Sequence, residues 1–466
     1  MKFYAVILIL IVPIVSFGQL SYNIELLDNW SNDTLTHNSS EVRYNDCWGI
    51  VHNDQEYAVT GSTEGIHFFR ITNNNKLEHV DFVEGRFNDM SVVHRDIKTY
   101  SHYVYAVCDE GESSLQIIDF SYLPDSVHLV AENDTNFARV HNLFIDENND
   151  LLYAGTITPK VNGSLQTAHA MQVYSLSNPE SPTLVYTGPT DIPEVHDMYV
   201  RDNIAYLNCG FDGLRVYDFS SPSNPIYKQN LNIYQDQGYN HQGWMSPDGS
   251  TFLFADETGG KRIKRCSVAN DYTIQIENYF GTNYDNNTIP HNIMMTNEFA
   301  YVAYYNEGLR IYDLRPNVPQ EIAFFDTYLE ESIFNMQGAW GVYSELPSSR
   351  ILVSDRHSGL FLFDFNEDVF LSSSDNELHV FPNPSLSNSD ITIVIHKPTN
   401  FDKTNIQQFD LFLYDINGKK IFENTIYNQT YTSIHKRLKP GVYHIRVEYT
   451  NYSDDLIRLQ KKIIIL

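Results

Sequence analysis

The sequence has few basic residues for its length. Its 466 residues include 31 Lys and Arg against 59 Asp and Glu, which gives a formal net charge of −28. Such an acidic chain repels phosphate backbones and anionic lipid headgroups, so nucleic acid is excluded as a partner. The simplest interpretation of the acidic surface is solubility, and recruitment of cations is the alternative.

Cysteine is scarce, and its spacing contains no metal-binding motif. The four residues are Cys47, Cys108, Cys209 and Cys266, with no CxxC pair. An even number permits disulfides in an exported chain. However, Cys108 and Cys209 lie inside apolar runs typical of strands, so the sequence favours free, buried thiols.

Long hydrophobic runs are confined to the N-terminus. Residues 1–18 combine Lys2, an apolar run from Tyr4 to Val15 and the short segment Ser16–Gly18, which together predict a signal peptide read by the Sec pathway. No later stretch has the roughly 18 uncharged apolar residues that a membrane helix needs, so no transmembrane segment is expected. We expect an exported, soluble mature protein.

Familiar catalytic motifs are also absent from the sequence. There is no G-x-S-x-G, no H-E-x-x-H, no P-loop and no G-x-G-x-x-G. No enzyme class follows from a motif, and whether the protein is an enzyme stays open, with a non-catalytic role favoured.

Aromatic residues, by contrast, are abundant, with 32 Tyr and 27 Phe, and they suit strands. Seven segments of similar pattern recur at intervals of about 45 to 55 residues, a spacing typical of β-propeller blades. They begin at Trp48, His94, His141, His196, His241, His291 and Trp340. The sequence therefore predicts an all-β fold with a seven-bladed β-propeller over residues 19–370.

The clearest repeats, Val195–Pro225 and Pro290–Pro319, each contain an acidic-Gly pair between two strand-like runs. Such pairs are typical of hairpin turns, because Gly accepts positive φ. The last repeat lacks a fourth strand after Gly359–Phe365. We expect the N-terminal segment around Ile24–Leu27 to pair there and close blade seven.

The chain changes character near residue 371. A Ser- and Asp-rich linker over 371–378 precedes alternating strand-like runs and an Asn417-Gly418 turn signal, which predict a small β-sandwich over 379–466. This segment resembles the type A sorting domain of the type IX secretion system of Bacteroidetes. The resemblance rests on short motifs containing Pro382, Asn383, Pro384, Asn417, Gly418, Lys419, Gly441, Tyr443, Lys461 and Lys462.

That resemblance implies export across the outer membrane by the type IX machinery, followed by attachment to the cell surface or release. The repeats themselves resemble the choice-of-anchor B family, which is related to LVIVD repeats. The likeness is carried by Tyr239–Trp244, Glu307–Asp313 and Gly338–Tyr343, and it covers residues 40–366. The family implies a propeller but no established activity.

Five successive repeats open with His, and equivalent positions in a propeller line the central channel. A second set of acidic residues follows the next strand of several repeats. Imidazole and carboxylate groups together are ligands for zinc, manganese or iron, so a divalent metal is a candidate cofactor. The candidates are His94, His141, His196, His241, His291, Asp109, Asp212, Asp256 (with Glu257), Glu307 and Asp355.

Three functions remain open from the sequence. The favoured one is a recognition module whose channel rim binds a ligand, such as a glycan or a protein, or a metal. The second is a metal-dependent hydrolase or lyase that uses His241, His291 and a rim carboxylate. In the third, the repeated His only form a structural hydrogen-bond network in an envelope protein.

Overall fold

The computed structural model describes residues 21–282, 288–328, 336–365, 377–381, 391–396, 408–427, 431–434, 437–450 and 456–465. All regular secondary structure in these ranges is β-strand, so the predicted all-β class is confirmed. No helix within them is long and apolar enough to cross a membrane. The predicted signal peptide, linker residues 371–376 and Pro382–Pro384 lie outside the described residues.

Two short N-terminal strands precede seven antiparallel sheets. They are β1 (Ser21–Tyr22) and β2 (Glu25–Trp30). The first three sheets follow in chain order: β3 (Tyr44–His52), β4 (Gln55–Ser62), β5 (Gly65–Ile71), β6 (Leu77–Glu84); β7 (Arg95–Tyr100), β8 (Tyr103–Cys108), β9 (Leu115–Asp119), β10 (His128–Asn133); β11 (Arg139–Asp146), β12 (Leu151–Thr158), β15 (His169–Ser175), β16 (Thr183–Thr187). A small hairpin, β13 (Lys160–Val161) and β14 (Ser164–Leu165), is inserted in the third sheet.

The remaining four sheets have the same order. Their strands are β17 (Asp197–Arg201), β18 (Ile204–Asn208), β19 (Leu214–Asp218), β20 (Ile226–Leu231); β21 (Asn240–Met245), β22 (Thr251–Asp256), β23 (Ile263–Val268), β24 (Ile274–Phe280); β25 (Ile293–Met295), β26 (Phe299–Ala303), β27 (Leu309–Asp313), β28 (Gln320–Phe325); β29 (Ala339–Tyr343), β30 (Arg350–Asp355), β31 (Gly359–Asp364). Second strands such as β8 are buried along their whole length, because neighbouring sheets cover both faces. Fourth strands such as β10 are mostly exposed.

The first strands of the seven sheets lie side by side. β3 contacts β7, and the contacts continue in turn through β11, β17, β21, β25 and β29, which contacts β3. The side chains on these seven strands therefore face a shared central space, and this is where the candidate site lies.

The N-terminal strands join the last two sheets. β2 lies antiparallel to β31, with Glu25 opposite Asp364, and it is the fourth strand of the seventh sheet. The sequence predicted this pairing, with the N-terminal segment beside the last strand of the seventh repeat. β1 extends the sixth sheet by pairing with β28. The Trp30 ring at the end of β2 packs 4.7 Å from that of Phe69 in the first sheet, so β2 links the first and last sheets.

The C-terminal segment forms two sheets around its own core. Their strands are β32 (Glu377–Phe381), β33 (Ile391–His396), β34 (Gln408–Asp415), β35 (Lys420–Tyr427), β36 (Tyr431–Ile434), β37 (Gly441–Thr450) and β38 (Leu456–Ile465). β33 lies between β32 and β36, and the other four form the order β35-β34-β37-β38. One apolar cluster joins both sheets.

The predicted Asn-Gly turn and the predicted free thiols are both present. Gly418 has a φ of 78°, and Asp415 Oδ1 accepts hydrogen bonds from the backbone N–H groups of Asn417 and Lys419 at 2.9 Å each. The four cysteines are buried and unpaired. Burial raises the pKa of Cys108 to about 11, so its thiol stays protonated and unreactive.

Candidate functional site

Five histidines and one tryptophan form a closed ring of side chains in contact with one another in the central space. The ring centroids of His94 and His141 are 4.1 Å apart, and the next three steps along the chain are 4.1, 4.3 and 4.2 Å. Trp340 follows at 4.2 Å and returns to His94 at 5.7 Å. We call this set the imidazole ring: His94, His141, His196, His241, His291 and Trp340.

Local backbone irregularities position two of these side chains. The register of β21 shifts between Asn240 and Gln242, which leaves His241 as the extra residue. β29 has the same shift around Trp340. A β-bulge of this kind turns one side chain out of the alternating pattern. The indole of Trp48 lies elsewhere, 4.9 Å from the ring of Tyr343, and does not join the imidazole ring.

Hydrogen bonds to Nδ1 fix the orientation of several imidazoles. Nδ1 of His291 lies 2.6 Å from the carbonyl oxygen of Trp340, and Nδ1 of His196 lies 3.2 Å from that of His241. A carbonyl oxygen only accepts, so these Nδ1 atoms carry the proton and Nε2 is left with a free lone pair. Nδ1 of His94 and of His241 makes no hydrogen bond within the described part of the chain.

The imidazoles differ in charge. Burial and the neighbouring imidazoles hold the pKa values of His94, His196 and His291 well below the usual range, and burial also lowers the pKa of His241. Burial opposes protonation of His141 too, but its hydrogen bond and attraction to Asp109 raise its pKa overall. At neutral pH four imidazoles of the ring are therefore neutral, and His141 is the one that takes up a proton most readily.

Two carboxylates lie against the imidazole ring. Asp109 Oδ2 is 2.7 Å from Nδ1 of His141. The carboxylate of Glu257 accepts a hydrogen bond from the hydroxyl of Tyr305 and lies 4.0 Å from Nε2 of His291. Potential metal-ligand atoms are within 4.8 Å of one another in two clusters, which consist of His94, Asp109 and His141, and of His196, His241 and Glu257.

A cavity of about 470 Å³ opens beside these clusters. Its lining is mixed, with carboxylates, imidazoles and aromatic rings from several sheets: Asp109, His141, Thr156, Glu194, His196, Phe211, Tyr239, Glu257, Thr258 and Met336. The Tyr239 ring stands edge-on to that of His196 at 5.2 Å, and Phe211, 76% exposed, stands edge-on to Tyr239. The cavity therefore gives a small molecule access to both candidate metal clusters.

The backbone around the cavity is strained at two residues. Thr156 has a φ of 41° and Tyr305 a φ of 43°, values that side chains of their kind rarely adopt. In the fourth repeat Gly210 occupies the position that corresponds to Tyr305, with a φ of 56°. A Cβ atom at Gly210 would collide with Glu194 Oε1, so Gly there makes room for a carboxylate of the cavity. Strain of this kind is concentrated at functional sites.

The other acidic residues suggested by the sequence have local partners. Asp256 is fully buried against Lys264, with Nζ and Oδ2 2.7 Å apart. Asp355 accepts hydrogen bonds from Thr327 and from the backbone of His357 and Ser358. Glu307 pairs with Arg310 at 2.8 Å, and Asp212 lies in the turn after Cys209.

The polar residues beside the histidines bridge adjacent first strands. Asp96 Oδ2 accepts from the backbone N–H of Leu143 at 2.6 Å, and Gln242 bonds both the N–H and the carbonyl of Ile293. These bonds satisfy backbone groups at strand edges, so this layer is structural.

No sequence pattern singles out Glu194, Thr156 or Tyr305. Glu194 lies in a connecting segment and Thr156 near the end of β12, and no repeat pattern marks either. A sequence signal for Glu194 does exist, because it stands two residues before the repeated His196. In the structure its side chain lines the cavity. The only sequence signal at Tyr305 is that the corresponding position of the fourth repeat, Gly210, is glycine.

Comparisons with known proteins identify one end of the chain. Residues 379–466 match the family model of the secretion system C-terminal sorting domain. This part of the chain is therefore a type IX sorting domain, and it points to export across the outer membrane, to the cell surface or outside. The search of curated proteins gives no match.

Proposed function

We propose that the seven sheets are the blades of a seven-bladed β-propeller of the choice-of-anchor B type, spanning residues 19–370. The order of contacts among first strands supports this architecture, and so does the repeat length. The predicted linker over 371–378 connects the propeller to the sorting domain, but its last two residues, Glu377 and Leu378, already belong to β32 of the C-terminal sheets. The predicted signal peptide takes the chain through the Sec pathway before the type IX machinery carries it across the outer membrane.

We further propose that the propeller is a recognition module that binds a divalent transition metal in the imidazole ring. The observation that carries this is the cluster of His196, His241 and Glu257, in which two neutral imidazoles and one carboxylate lie within 4.8 Å. Two imidazoles and a carboxylate are a common ligand set for zinc and for iron. The backbone carbonyl that accepts from Nδ1 of His196 is the kind of partner that orients a metal-binding imidazole.

The cluster of His94, Asp109 and His141 fits a metal less well. The hydrogen bond and attraction to Asp109 raise the pKa of His141, so a metal would compete with a proton there more than at the other imidazoles. In the other cluster burial already keeps both imidazoles neutral. We therefore assign the metal to His196, His241 and Glu257.

A bound metal would give the cavity a centre for ligand recognition. Three protein ligands leave coordination positions open, and His196 and Glu257 both line the cavity. A ligand with a carboxylate or hydroxyl oxygen, such as an acidic glycan, suits such a position. Hydrolysis is the second candidate function, because Glu194 lines the same cavity and a carboxylate there can take a proton from a metal-bound water.

The decisive experiment is metal analysis of the purified full-length protein. Bound metal is removed with a chelator, and the protein is titrated with Zn²⁺ or Mn²⁺. After gel filtration its metal content is measured by elemental mass spectrometry. We expect one metal per chain, and loss of that metal in Glu257→Gln, which preserves the size of the side chain.

The matched control is Glu194→Gln, since Glu194 lines the same cavity but is not in the ligand cluster. It should retain the metal. If the wild-type chain holds no stoichiometric metal, or if both variants lose it equally, the imidazole ring is scaffolding and the metal proposal fails.

A further inference from the structure

A second cavity lies at the opposite end of the first strands. In β11, His141 stands near the start of the strand, whereas Phe144 to Asn148 at its end line this second cavity. β17 is arranged in the same way, with His196 immediately before it and Tyr199 to Asp202 in the cavity wall. The cavity has a volume of about 510 Å³ and is separate from the imidazole ring.

Aromatic rings form much of the cavity wall. Phe144, Tyr199 and Trp244 pack together with centroid separations of 5.3, 5.0 and 6.2 Å, at angles of 61°, 67° and 59°. Because no two of these rings are parallel, they cannot all bury their faces against one another. All three remain half-buried, so part of each ring is open to the cavity. The wall therefore offers π faces to a ligand.

The positive charges in the wall are already neutralised. Lys98 Nζ lies 2.7 Å from Asp96 Oδ1 and is almost fully buried. Arg201 donates to the carbonyl oxygen of Ser246 at 2.9 Å and lies 3.5 Å from Asp202. Neither cation is free to bind an anion, which argues against an acidic ligand at this end.

Two carboxylates in the wall have no such neutralisation. Glu147 and Glu345 both line the cavity, and no Lys or Arg side chain lies within 4.0 Å of either among the residues described. Burial raises the pKa of both carboxyl groups, and the proximity of Glu147 adds to the effect at Glu345, so a cation bound between them would favour their charged form. The cavity thus combines aromatic faces with uncompensated negative charge, on a chain whose net charge is −28.

We propose that this cavity binds a small organic ammonium ion. A cation is attracted to the face of an aromatic ring by the quadrupole of the ring, and carboxylates at the rim add a Coulomb attraction. The protein already contains one such contact at this site, since Lys98 Nζ lies 4.6 Å from the centroid of the Trp48 ring. An ammonium group on a small apolar body would repeat that contact on the open rings.

The test compares a cation with its neutral isostere. Binding of choline and of 3,3-dimethylbutan-1-ol to the full-length protein is measured by isothermal titration calorimetry. We expect the neutral compound to bind at least about tenfold more weakly, the scale of a partly desolvated cation–π contact. Glu147→Gln with Glu345→Gln should weaken choline about fivefold and leave the isostere unchanged, whereas Glu277→Gln, an exposed carboxylate on β24, should change neither.

A further variant tests the aromatic wall. Trp244→Leu keeps an apolar side chain but removes the indole face, so the affinity for choline should fall more than the affinity for the isostere. Equal affinities for the two compounds, or no choline binding, would overturn the proposal. If a neutral sugar binds and choline does not, the proposal is also overturned, and the cavity is a carbohydrate site. Choline binding should persist in Glu257→Gln, because this site does not depend on the metal cluster.

Discussion

Mild acid is expected to destabilise the first sheet through His67. This side chain is 5% exposed, with Nε2 3.0 Å from the hydroxyl of Ser62 and Nδ1 3.3 Å from Nε2 of His79. Burial, and then repulsion from His79 and Arg95, lowers the pKa of His67 to about 3. The folded protein therefore holds His67 neutral, while the unfolded chain protonates it near pH 6.5.

The sign and size of the effect follow from this difference. A depressed pKa in the folded state gives stability that is present above pH 6.5 and is lost as the pH falls towards 3. pH 5.0 lies about 1.5 units below the pKa of His67 in the unfolded chain. Protonation therefore stabilises the unfolded chain by about 2 kcal/mol, and the free energy of unfolding falls by that amount. At pH 7.5 the loss is close to zero.

Urea unfolding at pH 7.5 and pH 5.0 measures the loss directly. His67→Gln cannot titrate, so the fall in its unfolding free energy between the two pH values should be about 2 kcal/mol smaller than that of the wild type. His128→Gln, at an exposed position, should fall as much as the wild type. If His67→Gln shows the same fall as the wild type, the buried neutral imidazole is not the cause.

Two other substitutions test packing and backbone geometry by urea unfolding. Lys264→Met should cost about 3–5 kcal/mol, because it leaves the buried carboxylate of Asp256 without its cation, and adding Asp256→Asn should restore part of that loss; no recovery would argue against the ion pair as the cause. Gly359→Ala should cost more than about 1 kcal/mol and speed hydrogen exchange in β2, since φ is 96° there and a Cβ atom would strike the carbonyl of Trp30. Gly163→Ala, with φ 78° in open space, should cost less; equal losses would show that the contact with Trp30 is unimportant.

The sequence predicted the all-β class because its strand signals are local. The recurring acidic-Gly turns and the alternation within each repeat needed no knowledge of distant residues. The incomplete last repeat also indicated where a strand was missing, and β2 lies there. Turn chemistry alone was enough for Asn417-Gly418.

The candidate site was less accessible from the sequence, because its geometry depends on bulges and on side-chain pairing. Trp48 has the repeat spacing of a ring member, but its indole packs on Tyr343 instead. Asp256 and Glu257 are adjacent, yet the first is buried against Lys264 and only the second faces the cavity. Spacing gives the strand on which a residue lies, whereas a one-residue bulge decides which way its side chain points.

The pairing of β2 with β31 has a consequence for the timing of folding. Glu25 pairs with Asp364, and nearly all of the repeats lie between these two residues in the sequence. The seventh sheet therefore cannot be completed until the end of β31 has been synthesised. Until then β2 has no partner strand, and its edge is available to other chains.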